Sequence, residues 1–585
     1  MAATTYDAII VGAGFSGIYQ LYRLRQLGLS VKVVDMAGDV GGTWYWNRYP
    51  GAMSDTESFV YRYSWDEDDL QTYPWSHHYV KQPDVLAYLE HIVAKHDLRR
   101  DIQFKTELVS ATWNKNNSRW QVELEHEGTI QQHNVKYLIT ALGVLSKPNY
   151  PDIPGIDTFS GTLCHTAAWP KDLDLHNKRV GIIGNGSTGV QVITAIAPQV
   201  KQLLSFQRHP QYSVPSGDRP VDPSYRAWVN ENYPAIMTQV RNSITGFGFE
   251  ESTTAFEDIP PSDREAILQR LWDAGNGFKF MFGGFSDIAT NKTANEAAAS
   301  FIRKQISNIV TDPEKARKLT PHDHYARRPL CDGGYYASFN HPHVDIVSLQ
   351  ETPITQILPQ GIQTADGKTH DLDVIIFATG FDAIEGNYNR VRIRGRNGTT
   401  LRDHWAPQGP TSYLGVAVPN FPNMFMILGP QGPFTNMPPA LEAHVDLVTD
   451  LIAHAESVSA GTGASKPAIE ASPQAEATWL RKCDEAAEGS LFKETASWIF
   501  GQNVPGKKYA LRFYFGGLKK FYEEMEAMKA DGFRGFRFGA GDVTGEAASL
   551  ATDSAGDQEE DEAVPQQHKW VDEERRGEGA VRSSL

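Results

Sequence analysis

The run Ala8-Ile-Ile-Val11-Gly12-Ala-Gly14-Phe15-Ser16-Gly17 decides the fold. Four apolar residues in succession suit a strand buried on both faces. The glycines after them are spaced for a dinucleotide turn: Gly12 permits the tight bend, Gly14 lets backbone approach a pyrophosphate, and Gly17 lets helix pack on strand. Ile18 to Leu27 carries the helix, Gly28 ends it, and Val31 to Asp35 is a second strand closed by a carboxylate. The free N–H groups of the helix start then face the phosphates.

The same unit returns later. Val180 to Ile183 is the strand, Gly184-Asn-Gly186-Ser187-Thr188-Gly189 the loop, Val190 to Ala197 the helix with Gln191 on it, and Leu203 to Phe206 the next strand. Asp35 and Gln207 each stand 23 residues beyond the first glycine of their loop, and Arg208 follows Gln207. A carboxylate there accepts from ribose hydroxyls and repels phosphate; a neutral residue followed by arginine favours a 2′-phosphate. The chain is therefore predicted to hold one unphosphorylated dinucleotide and one NADP(H), a pairing that points to FAD reduced by NADPH. The predicted fold class is α/β, with two Rossmann-like dinucleotide-binding domains.

Pattern changes divide the rest. The predicted order is a first FAD-binding part at 1–145, a first NADP-binding part at 150–214 and a helical insertion at 215–320. A second NADP-binding part follows at 321–380, then a second FAD-binding part at 381–544. Asp263 to Ala274 and Thr293 to Ile309 read as helices of the insertion. His343 to Val347 and the apolar run after Asp373 read as strands. Residues 545–585 hold the acidic run Asp557 to Glu562 among Ala, Gly and Ser, and read as a disordered tail.

With 585 residues, two or three domains are expected. A net charge of −16 argues against nucleic acid and anionic membrane as partners. The cysteines Cys164, Cys331 and Cys483 lie far apart, so neither a metal site nor a disulfide framework is expected, which suits a reducing compartment. No apolar run reaches the ~18 residues of a membrane span, and a strand starting at Tyr6 leaves no room for a signal peptide. The terminal Ser583-Ser584-Leu585 lacks the basic middle residue of a peroxisomal address. The expectation is a cytoplasmic protein with no obligate protein partner.

Phe159-Ser-Gly161-Thr-Leu-Cys-His165-Thr-Ala-Ala-Trp169-Pro170 precedes the second loop. Read alone, Phe159 and Trp169 would be core and His165 a satisfied packing histidine. The segment, however, resembles the fingerprint of type I Baeyer–Villiger monooxygenases, Phe-x-Gly-x-x-x-His-x-x-x-Trp. Related flavin-containing monooxygenases usually carry Tyr or Phe where Trp169 stands. The blocks starting at Gly41 and Trp498 are similar to family blocks. Those at Arg327-Arg328-Pro-Leu-Cys331 and Gly429-Pro-Gln-Gly-Pro-Phe434-Thr435-Asn-Met437 look most like the cyclohexanone monooxygenase branch.

The resemblance implies an NADPH- and O₂-dependent flavoprotein that inserts one oxygen atom beside a ketone carbonyl, through a C4a-peroxyflavin, giving an ester or lactone. It implies that Arg328 is the active-site arginine and Asp55 a carboxylate beside it. An arginine suits an oxyanion because it keeps its proton. On the residues alone, Arg328 would be a surface cation and Asp55 a helix N-cap. By the same resemblance Thr43, Trp44 and Tyr61 contact the flavin. Arg327 contacts the NADP phosphate, with His209 where the family has Thr, so that a pH-dependent contact replaces a hydroxyl. Trp498 closes over NADP, and Phe434, Thr435 and Met437 line the substrate pocket. Disulfide reductases would need a redox cysteine pair where Thr43-Trp-Tyr-Trp46 stands. A sulfur- or nitrogen-oxidising monooxygenase and a non-catalytic NADP-binding protein are the remaining alternatives.

Overall fold

Residues 4–462 and 468–539 are described by the structure, a computed structural model. The tail expected at 545–585 lies outside the described residues.

Two sheets organise the chain. The first runs Arg392–Arg394, Thr106–Asn114, Arg119–His126, Thr129–Thr140, Thr4–Val11, Val31–Val34, Ile102–Gln103, with Met424–Met426 also on Thr129–Thr140. Its centre is parallel: Ile10 sits opposite Val33 on one side and Ile139 on the other. The second sheet is parallel throughout and runs Val344–Ser348, Gln202–Gln207, Arg179–Ile183, Val374–Phe377, Thr162–His165. In the central strands the runs Ala8 to Val11 and Val180 to Ile183 are closed to solvent, which explains why they are unbroken and apolar.

The predicted helices start earlier than their apolar patterns. They span Phe15–Gln26 and Ser187–Ile196, because Gly14 and Gly186 are the caps and neither offers a side-chain signal. Gly28 has φ +74°, the left-handed geometry that ends a helix. The first turn of neither helix holds an acidic residue. Helix Met437–Thr462, far along the chain, packs back on Phe15–Gln26, and Tyr19 Oη donates to Asp446 Oδ1 at 2.8 Å.

The helical stretch divides its loyalties. Pro261–Ala274, Gly277–Phe282 and Lys292–Ile309 share a core with the second sheet, through Leu271, Phe280 and Ile302. Pro223–Arg241 instead buries Val229, Tyr233, Ile236 and Val240 against Phe59, Leu70, Trp75 and Leu518.

The chain crosses between the sheets twice, and the two crossings pair antiparallel. Asn149 N–H donates to Gly380 O, Asp382 N–H to Lys147 O, and Ile384 N–H to Val144 O, each at 2.9 Å. Among the described residues no helix is long and apolar enough to cross a membrane, and no His, Cys, Asp and Glu cluster could hold a metal. All three cysteines are free and buried.

Candidate active site

The first loop is built by close approach. Gly12 has φ +115°, and a Cβ there would lie 2.3 Å from the Ala141 carbonyl; one on Gly17 would strike Gly12 O. Asp35 is buried. Its Oδ2 accepts the Ala13 N–H at 2.6 Å and its Oδ1 the Ala37 N–H at 2.8 Å. The carboxylate thus ties the glycine loop to the strand end, besides presenting its remaining lone pairs. Burial raises its pKa, against the two backbone hydrogen bonds.

Thr43 and Trp44 lie on the short helix Thr43–Trp46, docked on this loop where Gly41 N–H donates to Ala13 O at 3.0 Å. Trp44 Nε1 donates to Tyr61 Oη at 3.1 Å. Phe15 is bracketed by Tyr61 and Tyr63, with ring centroids 5.7 and 5.1 Å away, and its carbonyl accepts Tyr63 Oη. Burial pushes the Tyr61 hydroxyl up; Asp55 adds to this and Arg328 opposes it, so Tyr61 feels both charges.

Asp55 lies on strand Met53–Glu57, not at a helix cap. Its Oδ2 is 2.6 Å from Arg328 Nη2, although the residues are far apart in sequence. The other arm, Nη1, donates weakly to Pro329 O at 3.4 Å. Arg328 Cζ sits 5.1 Å from the Phe278 centroid, and Phe278 stacks on Phe247 at 4.2 Å. Burial alone would lower the pKa of Arg328, but Asp55 more than offsets this and the net shift is upward, so the charge is permanent. The side chain keeps 28% of its surface accessible, enough to meet a substrate.

Phe434 and Phe515 stack at 5.3 Å, with Phe513 at 5.5 Å from Phe434. Trp498 meets Phe513 edge-on at 5.7 Å, on the single turn Trp498–Phe500. Thr435 Oγ1 donates to Thr245 O, and Met437 opens helix Met437–Thr462.

The second loop repeats the first: a Cβ on Gly184 would meet Ala378 O at 2.4 Å, and one on Gly189 would meet Gly184 O at 2.3 Å. A Cβ on Gly186 would meet nothing within 4 Å, so backbone is open to a ligand there. Ser187 and Thr188 form the uncapped first turn. The two loops therefore fit two pyrophosphates: both offer N–H groups without side-chain caps and no acid in the first turn, and the second has open space at Gly186.

Gln191 faces another way. Its Oε1 accepts Tyr49 Oη at 2.8 Å and its Nε2 donates to Met53 O at 3.0 Å, so both ends of the amide join this helix to the first half of the chain. Beside the loop, Gln207 is buried and donates to Lys318 O at 2.7 Å. Arg208 is exposed and makes no ion pair among the described residues. His209 accepts at Nδ1 from Gln350 Nε2 at 2.9 Å. Burial, then Arg327 and Arg208, depress its pKa. Arg327 is partly neutralised by Asp323 at 2.5 Å, and its Nε donates to Ala496 O at 3.2 Å, two residues from Trp498.

In the fingerprint, Phe159 lies against Gly161, where a Cβ would be 2.7 Å from the Phe159 ring. Trp169 packs half-buried on the core of the second sheet. His165 is fully buried, and burial lowers its pKa to about 4. Its Nδ1 accepts the Ala167 N–H at 3.1 Å, which leaves Nε2 as the donor to Gly380 O.

The sequence reading missed Phe247 and Phe278, which lie in the helical stretch with no periodic signal, and the Tyr49–Gln191 link. Only the local pattern Gly246-Phe-Gly248 hinted at a built turn.

Comparison with known proteins shows the family. Residues 6–215 match the flavin-binding monooxygenase-like family. A Baeyer–Villiger monooxygenase of Pseudooceanicola batsensis is 47% identical over 90% of this chain and 95% of its own. A phenazine N-monooxygenase of Lysobacter antibioticus is 47% identical over 91% of this chain and 97% of its own. The crystal structure of cyclohexanone monooxygenase from Rhodococcus sp. Phi1 bound to NADP⁺ superimposes with a TM-score of 0.89 at 50% identity, covering 92% of this chain and 99% of that one. The chain belongs to the type I Baeyer–Villiger monooxygenases, in the cyclohexanone monooxygenase branch, and is an enzyme of FAD and NADPH.

Proposed function

We propose that the site beside Arg328 places an oxygen atom from O₂ next to the carbonyl of an apolar cyclic ketone, giving a lactone. The observation that carries this is the Arg328–Asp55 ion pair set against the Phe278 and Phe247 rings. A ketone carbonyl that becomes tetrahedral puts negative charge on oxygen. A fixed guanidinium in a water-poor site stabilises that charge strongly. Asp55 aims the guanidinium, and the aromatic wall excludes water. Asp35 and the first loop would hold FAD; Arg208, Arg327 and the second loop would hold NADPH. Bound together, these groups supply the electrons that activate O₂. The enzyme needs no protein partner in this reading, and three free, buried cysteines suit a cytoplasmic setting.

The test is product analysis under ¹⁸O₂ with NADPH, over cyclic, linear and aryl ketones and phenazine. The expected result is lactone carrying one ¹⁸O atom, formed in step with NADPH consumption and fastest for cyclic ketones. Phenazine N-oxide as the main product, with ketones untouched, would overturn the proposal in favour of heteroatom oxidation.

A further inference from the structure

The turn at 243–246 is held by a carboxylate. Glu251 Oε2 accepts the Ile244 N–H at 2.8 Å. Its Oε1 accepts the Thr245 N–H at 2.7 Å and the Thr245 hydroxyl at 2.6 Å. Glu251 makes no ion pair among the described residues. The turn is docked in its own right on the far side. Thr245 O accepts the Asn436 N–H at 2.8 Å and the Thr435 hydroxyl, and Gly246 O accepts Asn436 Nδ2 at 3.0 Å. Asn436 Oδ1 in turn accepts Thr56 Oγ1 at 3.2 Å, next to Asp55. Gly246 has φ +70°, and a Cβ there would lie 2.8 Å from Thr435 Oγ1, so the fit is tight. The next residue is Phe247, whose ring stacks on Phe278 at 4.2 Å and 23°, and Phe278 carries the Arg328 guanidinium.

We propose that Glu251 is a specificity-determining positioning residue. By clamping the 243–246 turn onto Thr435 and Asn436, it sets how far Phe247 projects beside Arg328, and so how bulky a ketone fits there. Glu251 touches no reacting atom; it acts through Thr245 and Phe247. The inference rests on the reading that ketones are oxygenated at Arg328. Its physical basis is that an apolar wall discriminates a single methylene by roughly 10–200-fold, so a small displacement of Phe247 changes selectivity more than rate.

Glu251→Gln tests it. The amide keeps the shape but turns one acceptor into a donor that faces an N–H of the turn. The readouts are kcat/KM for cyclohexanone and for 2-phenylcyclohexanone, with flavin reduction by NADPH measured separately. The expected result is a shift of at least about fivefold in the ratio of the two kcat/KM values toward the bulky ketone, with flavin reduction unaltered. Equal factors on both ketones would overturn the inference and leave the ketone reading intact. Failure of the unaltered enzyme to oxygenate either ketone would overturn both. If Glu251→Gln loses its flavin and fails to fold, Thr245→Val decides, since it removes only the hydroxyl contact: an altered ratio supports the proposal and an unaltered one overturns it.

Discussion

His165 Nε2 donates to the carbonyl of Gly380 across 3.1 Å, and that same carbonyl accepts the Asn149 N–H at 2.9 Å. The fingerprint histidine therefore grips the point where the two crossings between sheets meet. It is a structural joint between the ends of the neighbouring strands Thr162–His165 and Val374–Phe377, held neutral by burial.

Replacing His165 by Ala is predicted to slow turnover while FAD stays bound, because the joint loosens and the flavin contacts do not change. Wild-type turnover in steady-state assays of the variant would show that the contact only fills space. The pH dependence has a definite sign. The folded pKa of about 4 lies below the ordinary histidine value, so the unfolded chain binds the extra proton first. Stability from this group is present above about pH 6.5 and is lost as pH falls toward 4. Thermal melts from pH 7 to pH 4.5 should fall more steeply for the wild type than for His165→Asn.

Glu442 should show the opposite slope. It is fully buried on helix Met437–Thr462, and Ser64 N–H and Oγ donate to its two oxygens at 2.6 and 2.5 Å. Burial raises its pKa to about 7, against those hydrogen bonds. A raised carboxylate contributes stability below about pH 4.5 that is lost as pH rises through 7. Melts between pH 5 and 8 should therefore decline less for Glu442→Gln than for wild type. Parallel curves would mean that Glu442 is ionised throughout.

Arg328→Ala is predicted to lower ester formation by ~10²–10³, the loss typical of one oxyanion stabiliser. NADPH should still bleach the flavin at near the wild-type rate, because the residue acts after reduction. Arg328→Lys should rescue little, since an ammonium lacks the planar fork that reaches Asp55 and Pro329 O from separate arms. Stopped-flow absorbance separates reduction from oxygenation. Near-normal lactone formation by Arg328→Ala would assign the oxyanion to another donor.

Arg208→Ala is predicted to raise the KM for NADPH by about tenfold or more, in line with ~1.5–3 kcal/mol for a hydrogen bond to a charged group. The KM for NADH should barely move. The side chain is exposed and free of ion pairs among the described residues, so the change should not disturb packing. Equal use of both cofactors by the unaltered enzyme would remove Arg208 from the phosphate site.

Much of this protein was legible in one dimension because the information is local. A glycine-rich turn needs its glycines within a few residues, so strand, loop, helix and the closing Asp35 or Gln207-Arg208 pair can be read along the chain. The helix starts were misjudged because glycine caps carry no side-chain signal. What tertiary structure alone decided is whatever depends on distant segments meeting. Asp55 and Arg328 pair from different halves of the sequence. Gln191 turns from its own loop to Tyr49 and Met53. Phe247 and Phe278 form a wall because the turn before Phe247 docks on Thr435 while the helix Gly277–Phe282 that carries Phe278 buries Phe280 in the core of the second sheet. The pKa of His209 is depressed because burial and two arginines surround it. Such contacts and fields fall off with distance in space, not along the chain, and no spacing of letters encodes them.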